Sequence, residues 1–273
     1  MRRLLNVRPR MGGRIMLGAA PLAGALLLYL MASQARHAAN PNDKVLPTFS
    51  AMIDAAKMMA GEINPSTGEI PFIADTLSSL HLLSAGLLAA TAISLFLGLF
   101  LGLLPIIRAS LGPLVAAIAV IPPIAVLPIL FIALGLGDTA KIALIIIGIT
   151  PVIVRDLASH VAAIPEEQII KAQTLGASTW QIALRVALPQ AMPRLIASLR
   201  LSLCPAWVYL ISAEAIASDV GLGYRIFLVR RYLSMDIILP YVLWISLLAV
   251  AMDVGLSLIS KRLYPWAHKE RGE

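Results

Sequence analysis

An all-α, polytopic membrane protein with about six transmembrane helices is the fold class this 273-residue sequence predicts, on three observations. Hydrophobic residues make up 59% of the chain. Charged residues make up only 14%, against about 25% in a soluble globular chain. The apolar residues gather in several runs of about 20, the length that crosses a hydrocarbon core. A single buried apolar domain would not need such runs, and the mean hydropathy of +0.86 agrees with the membrane reading.

The first span is drawn over residues 15–32, behind a basic N-terminus of residues 1–14 that holds Arg2, Arg3, Arg8, Arg10 and Arg14. A basic start before an apolar run resembles a signal peptide. No small-residue cleavage site follows promptly, and the later chain is itself membrane-embedded, so this segment is read as a retained span. Residues 33–75 are polar, and residues 15–81 are taken together as the first span and a periplasmic segment. Within it, residues 50–60 predict a short helix capped by Ser50, with Met52, Ile53, Ala56 and Met59 on one face.

The remaining spans are drawn over residues 82–104, 112–134, 141–158, 196–217 and 237–260. They form a transmembrane domain over 82–260, followed by a tail over 261–273. The third is the least regular, because Pro122, Pro123 and Pro128 each remove a backbone donor and kink a helix. Such breaks persist in a bilayer only where neighbours or a polar cavity satisfy the freed carbonyls, so these prolines mark a packing or pathway helix. With the N-terminus inside, fourteen lysines and arginines fall on the cytoplasmic side and seven on the other, which places both termini in the cytoplasm.

A net charge of +7 and a pI near 9.9 would suggest nucleic acid in a soluble protein. Here the basic residues flank spans and set topology, and no nucleic-acid partner is expected. The single cysteine, Cys204, lies in an apolar run and reads as a small core hydrophobe, which leaves no disulfide framework. His37, His81, His160 and His268 are scattered without metal-ligand spacing, so neither metal nor cofactor is expected. No phosphate-binding G-x-x-x-x-G-K-[ST] loop, Gly-x-Ser-x-Gly elbow or His-Glu-x-x-His pair occurs, and no catalytic residue is assigned.

Between spans four and five, residues 165–189 predict a helical hairpin too short and too polar to cross the membrane. Pro165 opens its first helix, and Glu166 and Glu167 oppose the positive end of the dipole. Gly176 stops that helix, since glycine adopts the left-handed conformation a helix end needs. Ser178 caps the second helix, and Gln181 completes a capping box. That helix presents Trp180, Ile182, Ala183, Leu184 and Val186 before Pro189 breaks it.

The hairpin resembles the EAA motif of bacterial ABC importer permeases: Glu-Ala-Ala, three residues, Gly, nine residues, Ile-x-Leu-Pro. Those positions here are Ile170, Lys171, Ala172, then Gly176, then Val186, Leu188 and Pro189. The glycine-to-Leu-Pro spacing matches without a gap, whereas Ile170 and Lys171 replace the first Glu and Ala. The segments LPTFSAMIDA (46–55), PPIAVLPILFIALGLGDTAKIAL (122–144), AEAIASDVGLGY (213–224) and KRLYPW (261–266) are similar to the nitrate/sulfonate/taurine-type branch. Within it, the stretch 171–244 looks most like permeases found with urea carboxylase, associated with urea-like or guanidine substrates.

The resemblance implies a type I importer permease in the bacterial inner membrane. It implies a second copy of the chain, two cytoplasmic ATPase subunits and a periplasmic substrate-binding protein as partners. Ala172, Gly176, Ala177, Ser178, Val186, Leu188 and Pro189 would then couple to the ATPases, and the solute would be guanidine- or urea-like, or taurine, a sulfonate or nitrate. Glu214, near the outer end of span five, has two readings: a pathway or gate carboxylate, or a helix-end group paired with Arg225, Arg230 or Arg231. Gly221 and Gly223 sit in an expected re-entrant turn beside it. The rival classes are an ion-coupled secondary transporter or channel, which would show related halves, and a membrane-embedded enzyme, which the motif search disfavours.

Overall fold

The computed structural model describes residues 11–40, 43–63 and 68–271, and every regular element in them is helical. Arg2, Arg3, Arg8 and Arg10 lie outside the described residues. The chain divides into two compact units, residues 1–61 with 229–240 and residues 62–228 with 241–273.

In the first unit, α1 (Met11–Ala39) is one long helix that carries Pro21. It extends past the expected 15–32 because Ser33, Gln34, Ala35 and Arg36 are compatible with a helix although they lower the hydropathy of the run. The chain after it folds back: Tyr29 Oη donates to the Pro47 carbonyl at 2.6 Å, and Ser33 Oγ to the Leu46 carbonyl at 3.1 Å. Thr48, not Ser50, caps α2 (Phe49–Gly61). Its Oγ1 accepts the Ala51 N–H at 3.3 Å and its carbonyl the Met52 N–H at 3.1 Å. The buried face holds Met52 and Ala55, while Ile53 and Ala56 are exposed. Apolar residues occur nearly all round this helix, so periodicity alone did not select the face.

The second unit is built on α3 (Pro71–Leu103), α4 (Pro105–Ile118), α5 (Pro123–Leu134) and α6 (Asp138–Ala162). After α6 come α7 (Glu166–Thr174), α8 (Thr179–Ile182), a π-helical turn (Ala183–Ala187) and α9 (Leu188–Ile216). Helices α10 (Leu222–Arg230) and α11 (Met235–Leu263) follow, each with residues in both units. Helix α3 begins at Pro71, well before the expected residue 82. Its first turns carry Asp75, Thr76 and Ser79, which a hydropathy window counts as surface but which are buried.

The core is the trio α3, α6 and α9. On α3, Gly86, Ala90, Ser94, Gly98 and Gly102 recur every fourth residue and are all buried. On α6, Ile145, Ile149, Ile153, Leu157 and Val161 recur likewise, none more than 1% exposed. Lipid tails are as apolar as these side chains, so close packing rather than water exclusion holds the pair, and the small residues permit it. A methyl group at Gly98 would lie 2.9 Å from Leu157 Cβ, and one at Gly102 2.4 Å from Val161 Cβ.

The pairs Gly86–Ile145, Gly98–Leu157 and Gly102–Val161 keep one offset, so α3 and α6 run parallel. The chain between them must therefore return across the same thickness. That return is α4 and α5, bent by 94°, and together they make one broken span. The expected third span is thus two helices and not one kinked helix. Pro122 and Pro123 start α5 anew, and the Val120 and Ile121 N–H groups close the end of α4 on the Ala117 and Ile118 carbonyls. Pro128 stays inside α5.

Helix α9 runs antiparallel to α6, with Gly148 against Tyr209, Asp156 against Ser198 and Lys141 against Ser218. Pro189 does not break it. The Leu188 N–H reaches back to the Ala183 carbonyl in a π-type bond, and the helix continues from Thr179 to Ile216. The second arm of the hairpin and span five are therefore continuous. Cys204 is exposed on α9 and does not belong to the core.

Candidate functional site

The hairpin is built from local signals. Pro165 precedes α7 as its N-cap residue, one position outside the helix expected to begin there. At the other end the Gly176 N–H donates to the Gln173 carbonyl at 2.9 Å, and the Ala177 N–H to the Ala172 carbonyl at 3.0 Å. This is a Schellman closure, and Gly176 takes the left-handed φ of +81° that it requires. Ser178 then starts α8: its N–H donates to Gln181 Oε1 at 2.8 Å, and the Gln181 N–H to Ser178 Oγ at 3.3 Å. Ala172, Gly176, Ala177 and Ser178 thus form one continuous turn.

Val186, Leu188 and Pro189 form a second group, at the π-helical turn and its exit into α9. The two arms are joined by Gln190 Nε2, which donates to Gln168 Oε1 at 3.0 Å and to the Val186 carbonyl at 2.9 Å. Trp180 stacks on Phe100 of α3 with ring centroids 6.2 Å apart. Ile170, Leu175 and Trp180 are exposed around the turn, Leu175 by 87%. The structure therefore offers a rigid, partly apolar tip whose second arm is one rod with a membrane helix.

A second constellation closes the opposite end of the helix trio. Glu214 is fully buried; Ser79 Oγ donates to its Oε1 at 2.7 Å and the Gly223 N–H to its Oε2 at 2.8 Å. Ser79 Oγ also accepts the Leu222 N–H at 2.9 Å. Asp75, itself 1% exposed, accepts the Gly221 N–H at 2.9 Å on Oδ1 and Arg225 Nε at 2.8 Å on Oδ2. Burial works against the Arg225 charge, and the Asp75 carboxylate outweighs it, so the guanidinium pKa stands above its ordinary value.

The guanidinium of Arg225 thus belongs to Asp75 and not to Glu214. Gly221 has φ +130°, and a methyl group there would lie 2.5 Å from Glu214 Cδ; one at Gly223 would lie 2.6 Å from the Ile211 carbonyl oxygen. Glu214, Gly221 and Gly223 are therefore brought together, while Pro122, Pro123 and Pro128 belong to the bent pair. Instead of continuing as a turn, the chain is helical from Leu222. Sequence reading did not assign Asp75, Ser79 or Lys141. Asp75 and Ser79 share the one-turn spacing of a helix face, a signal that was present. Lys141 Nζ holds the start of α6 to Ser218 Oγ at 3.0 Å and to Asp138 at 3.2 Å.

Arg200 makes two 2.8 Å hydrogen bonds to Asp253 of α11, and Asp156 accepts from Arg194 and Ser198. Beside Asp156 a half-open groove of about 220 Å³ runs between α6 and α9, past Gly148, Val152, Ser198, Ser202 and Tyr209.

Residues 90–269 match the family described as binding-protein-dependent transport system inner membrane component. The taurine transport system permease protein of Escherichia coli K12 is 33% identical over 189 residues, 69% of each chain. A putative ABC transporter permease of Methanocaldococcus jannaschii is 29% identical over 82% of this chain and 84% of its own. The nitrate import permease of Leptolyngbya laminosa is 26% identical over 69% of this chain and 67% of its own. Among solved structures, a bacterial ABC transporter involved in alginate import superposes with a TM-score of 0.61. It is 14% identical and covers 92% of this chain and 98% of its own. The MetNI methionine ABC transporter gives 0.52 at 23% identity, covering 65% and 93%.

Proposed function

The chain belongs to the family of binding-protein-dependent transport system inner membrane components, and on that premise we propose how this permease subunit of an ABC importer couples, assembles and orients. The hairpin over 165–189 docks on a cytoplasmic ATPase subunit, one for each of two permease copies. The observation that carries this is the continuity of the hairpin's second arm with α9, since a rigid rod transmits displacement of its tip to the membrane helix. ATP hydrolysis belongs to those partner chains. The hairpin end faces the cytoplasm, as the basic residues require, and both termini lie there. The constellation around Glu214 then lies on the periplasmic side, where a substrate-binding protein delivers the solute.

Glu214, Gly221 and Gly223 serve the pathway by fixing the outer turn, and Pro122, Pro123 and Pro128 serve it by shaping the bent span. The hydroxyl-bearing groove between α6 and α9 faces the pathway, because polar groups toward lipid are costly. The solute is a small molecule with a sulfonate or oxyanion group, as the names of the taurine and nitrate relatives suggest. Co-purification tests the coupling: the tagged chain should retain an ATPase subunit, and Gly176→Pro should abolish transport. Retention of no ATPase together with intact transport in Gly176→Pro would overturn the reading. Titrating the cognate binding protein with taurine, nitrate, bicarbonate, guanidine and urea tests the solute class, and tighter binding of guanidine or urea would reverse it.

A further inference from the structure

Where α4 leaves the end of α3, it does not close fully against α6. A cleft of about 240 Å³ stays open between them, walled by Arg108, Gly112 and Val115 of α4 and by Arg155, Ala158 and Ser159 of α6. Both charges in this wall are positive. Arg108 donates from Nε to the Leu101 carbonyl at 2.8 Å and from Nη2 to the Gly102 carbonyl. Those bonds fix the guanidinium and leave the rest of its fork unspent. Arg155 is exposed and has no ion pair or side-chain hydrogen bond among the described residues. Glu166 lies with Arg108 on the neighbouring cavity of about 320 Å³, and Asp156, next in sequence to Arg155, is engaged by Arg194.

We propose that this cleft binds an anionic phospholipid, its phosphodiester on Arg155 and Arg108 and an acyl chain along Gly112 and Val115. Charge complementarity selects the headgroup, because an arginine fork matches phosphate oxygens in pairs. Depth selects a lipid. Arg155 lies two turns before the end of α6 at Ala162, about 10 Å along the helix, so its long side chain can snorkel toward the headgroups. Basic pockets between membrane helices are where such headgroups bind. The small wall selects an acyl chain. A methyl group at Gly112 would meet only Arg108 Cγ, at 3.9 Å, so packing against α6 does not require the glycine, and the space is open to a guest.

The test uses the full-length chain with its co-purifying subunits in dodecyl maltoside micelles, doped with phosphatidylglycerol, with phosphatidylcholine or with inorganic phosphate. Native mass spectrometry and thermal unfolding read retention and stabilisation. Phosphatidylglycerol should be retained and should raise the melting temperature, while the other two should not. Arg155→Gln should cut retention about tenfold, and Arg262→Gln, in the last turn of α11, should leave it unchanged. Gly112→Leu fills the wall and keeps both arginines, so it should also lose the lipid. It supplies the answer if Arg155→Gln fails to fold. Equal retention of both lipids, equal stabilisation by inorganic phosphate, or full retention in Arg155→Gln or Gly112→Leu overturns the proposal. A cleft covered by another subunit would give that same full indifference. Binding is read without transport, so its failure leaves the importer reading intact.

Discussion

Ser79 on α3 and Glu214 on α9 meet through a 2.7 Å hydrogen bond at full burial, and the same hydroxyl accepts the Leu222 N–H, so one serine joins two membrane helices to the turn beyond them. Glu214→Ala would leave the Ser79 hydroxyl and the Gly223 N–H without their acceptor, at about 1–3 kcal/mol for each buried orphan. A fall in melting temperature is expected, with transport lowered in proportion to folded protein and the KM for solute unchanged. A raised KM at normal abundance would instead make Glu214 a solute contact.

Asp75 and Arg225 predict a non-additive pair. Removing the arginine alone strands a carboxylate that is 1% exposed, a loss of roughly 3–5 kcal/mol for a buried pair. Asn at position 75 keeps an oxygen for the Gly221 N–H and needs no counter-ion. Arg225→Met should therefore destabilise more than the double variant Asp75→Asn/Arg225→Met. Thermal unfolding of the four proteins in the cycle measures this, and additive losses would show that the pair carries no coupling.

Gly102 and Val161 predict a rescue. A methyl group at Gly102 would overlap Val161 Cβ at 2.4 Å, an overpacking cost of about 1–3 kcal/mol. Gly102→Ala should lower the melting temperature, and adding Val161→Ala should recover part of the loss by returning the volume. The Ala158 carbonyl, 3.1 Å from the added methyl, limits the recovery. No recovery at all would mean that backbone contact, not the side chain, sets the approach of the two helices.

These cases show what the sequence made legible. The hairpin turn could be read because its devices are local: Gly176 closes a nine-residue helix through bonds that reach back only to Gln173 and Ala172, and Ser178 and Gln181 cap each other across three positions. The spans could be counted by hydropathy, yet α3 was drawn too short because Asp75, Thr76 and Ser79 look like surface until their partners are known. Those partners are remote in sequence; Ser79 and Glu214 are 135 residues apart. Glu214 stood out as a carboxylate in an apolar run, but nothing local distinguished a guanidinium partner from a hydroxyl and an amide. The small-residue row on α3 was present at a spacing of four, and it gained meaning only against the matching branched row on α6.

Gly176 predicts an order among substitutions. Its φ of +81° suits Gly, is tolerated by Asn, strains Ala by about 1–2 kcal/mol and is closed to Pro, and no atom beyond its neighbours lies within 4 Å to add a clash. Solute-stimulated ATP hydrolysis in proteoliposomes should fall in the order Gly, Asn, Ala, Pro, while the melting temperature changes little for Asn. An order set by side-chain volume instead would point to a steric contact with the ATPase and not to backbone conformation.

Pro189 predicts a loss of coupling without a loss of stability. A regular helix from Thr179 to Ile216 would need an N–H at position 189 to reach the Arg185 carbonyl, and proline has none. The π-helical turn over Ala183–Ala187 absorbs that gap with the Leu188-to-Ala183 bond, and it adds one residue between the hairpin and α9. Pro189→Ala restores the donor, and the segment should relax to an ordinary helix. One residue of register is about 100° of rotation, from 3.6 residues per turn, so the hairpin tip would face away from its present direction relative to α9. The melting temperature should hold or rise, whereas solute transported per ATP hydrolysed should fall severalfold. An unchanged ratio in a well-folded Pro189→Ala protein would show that the π-helical turn does not set the hairpin's direction.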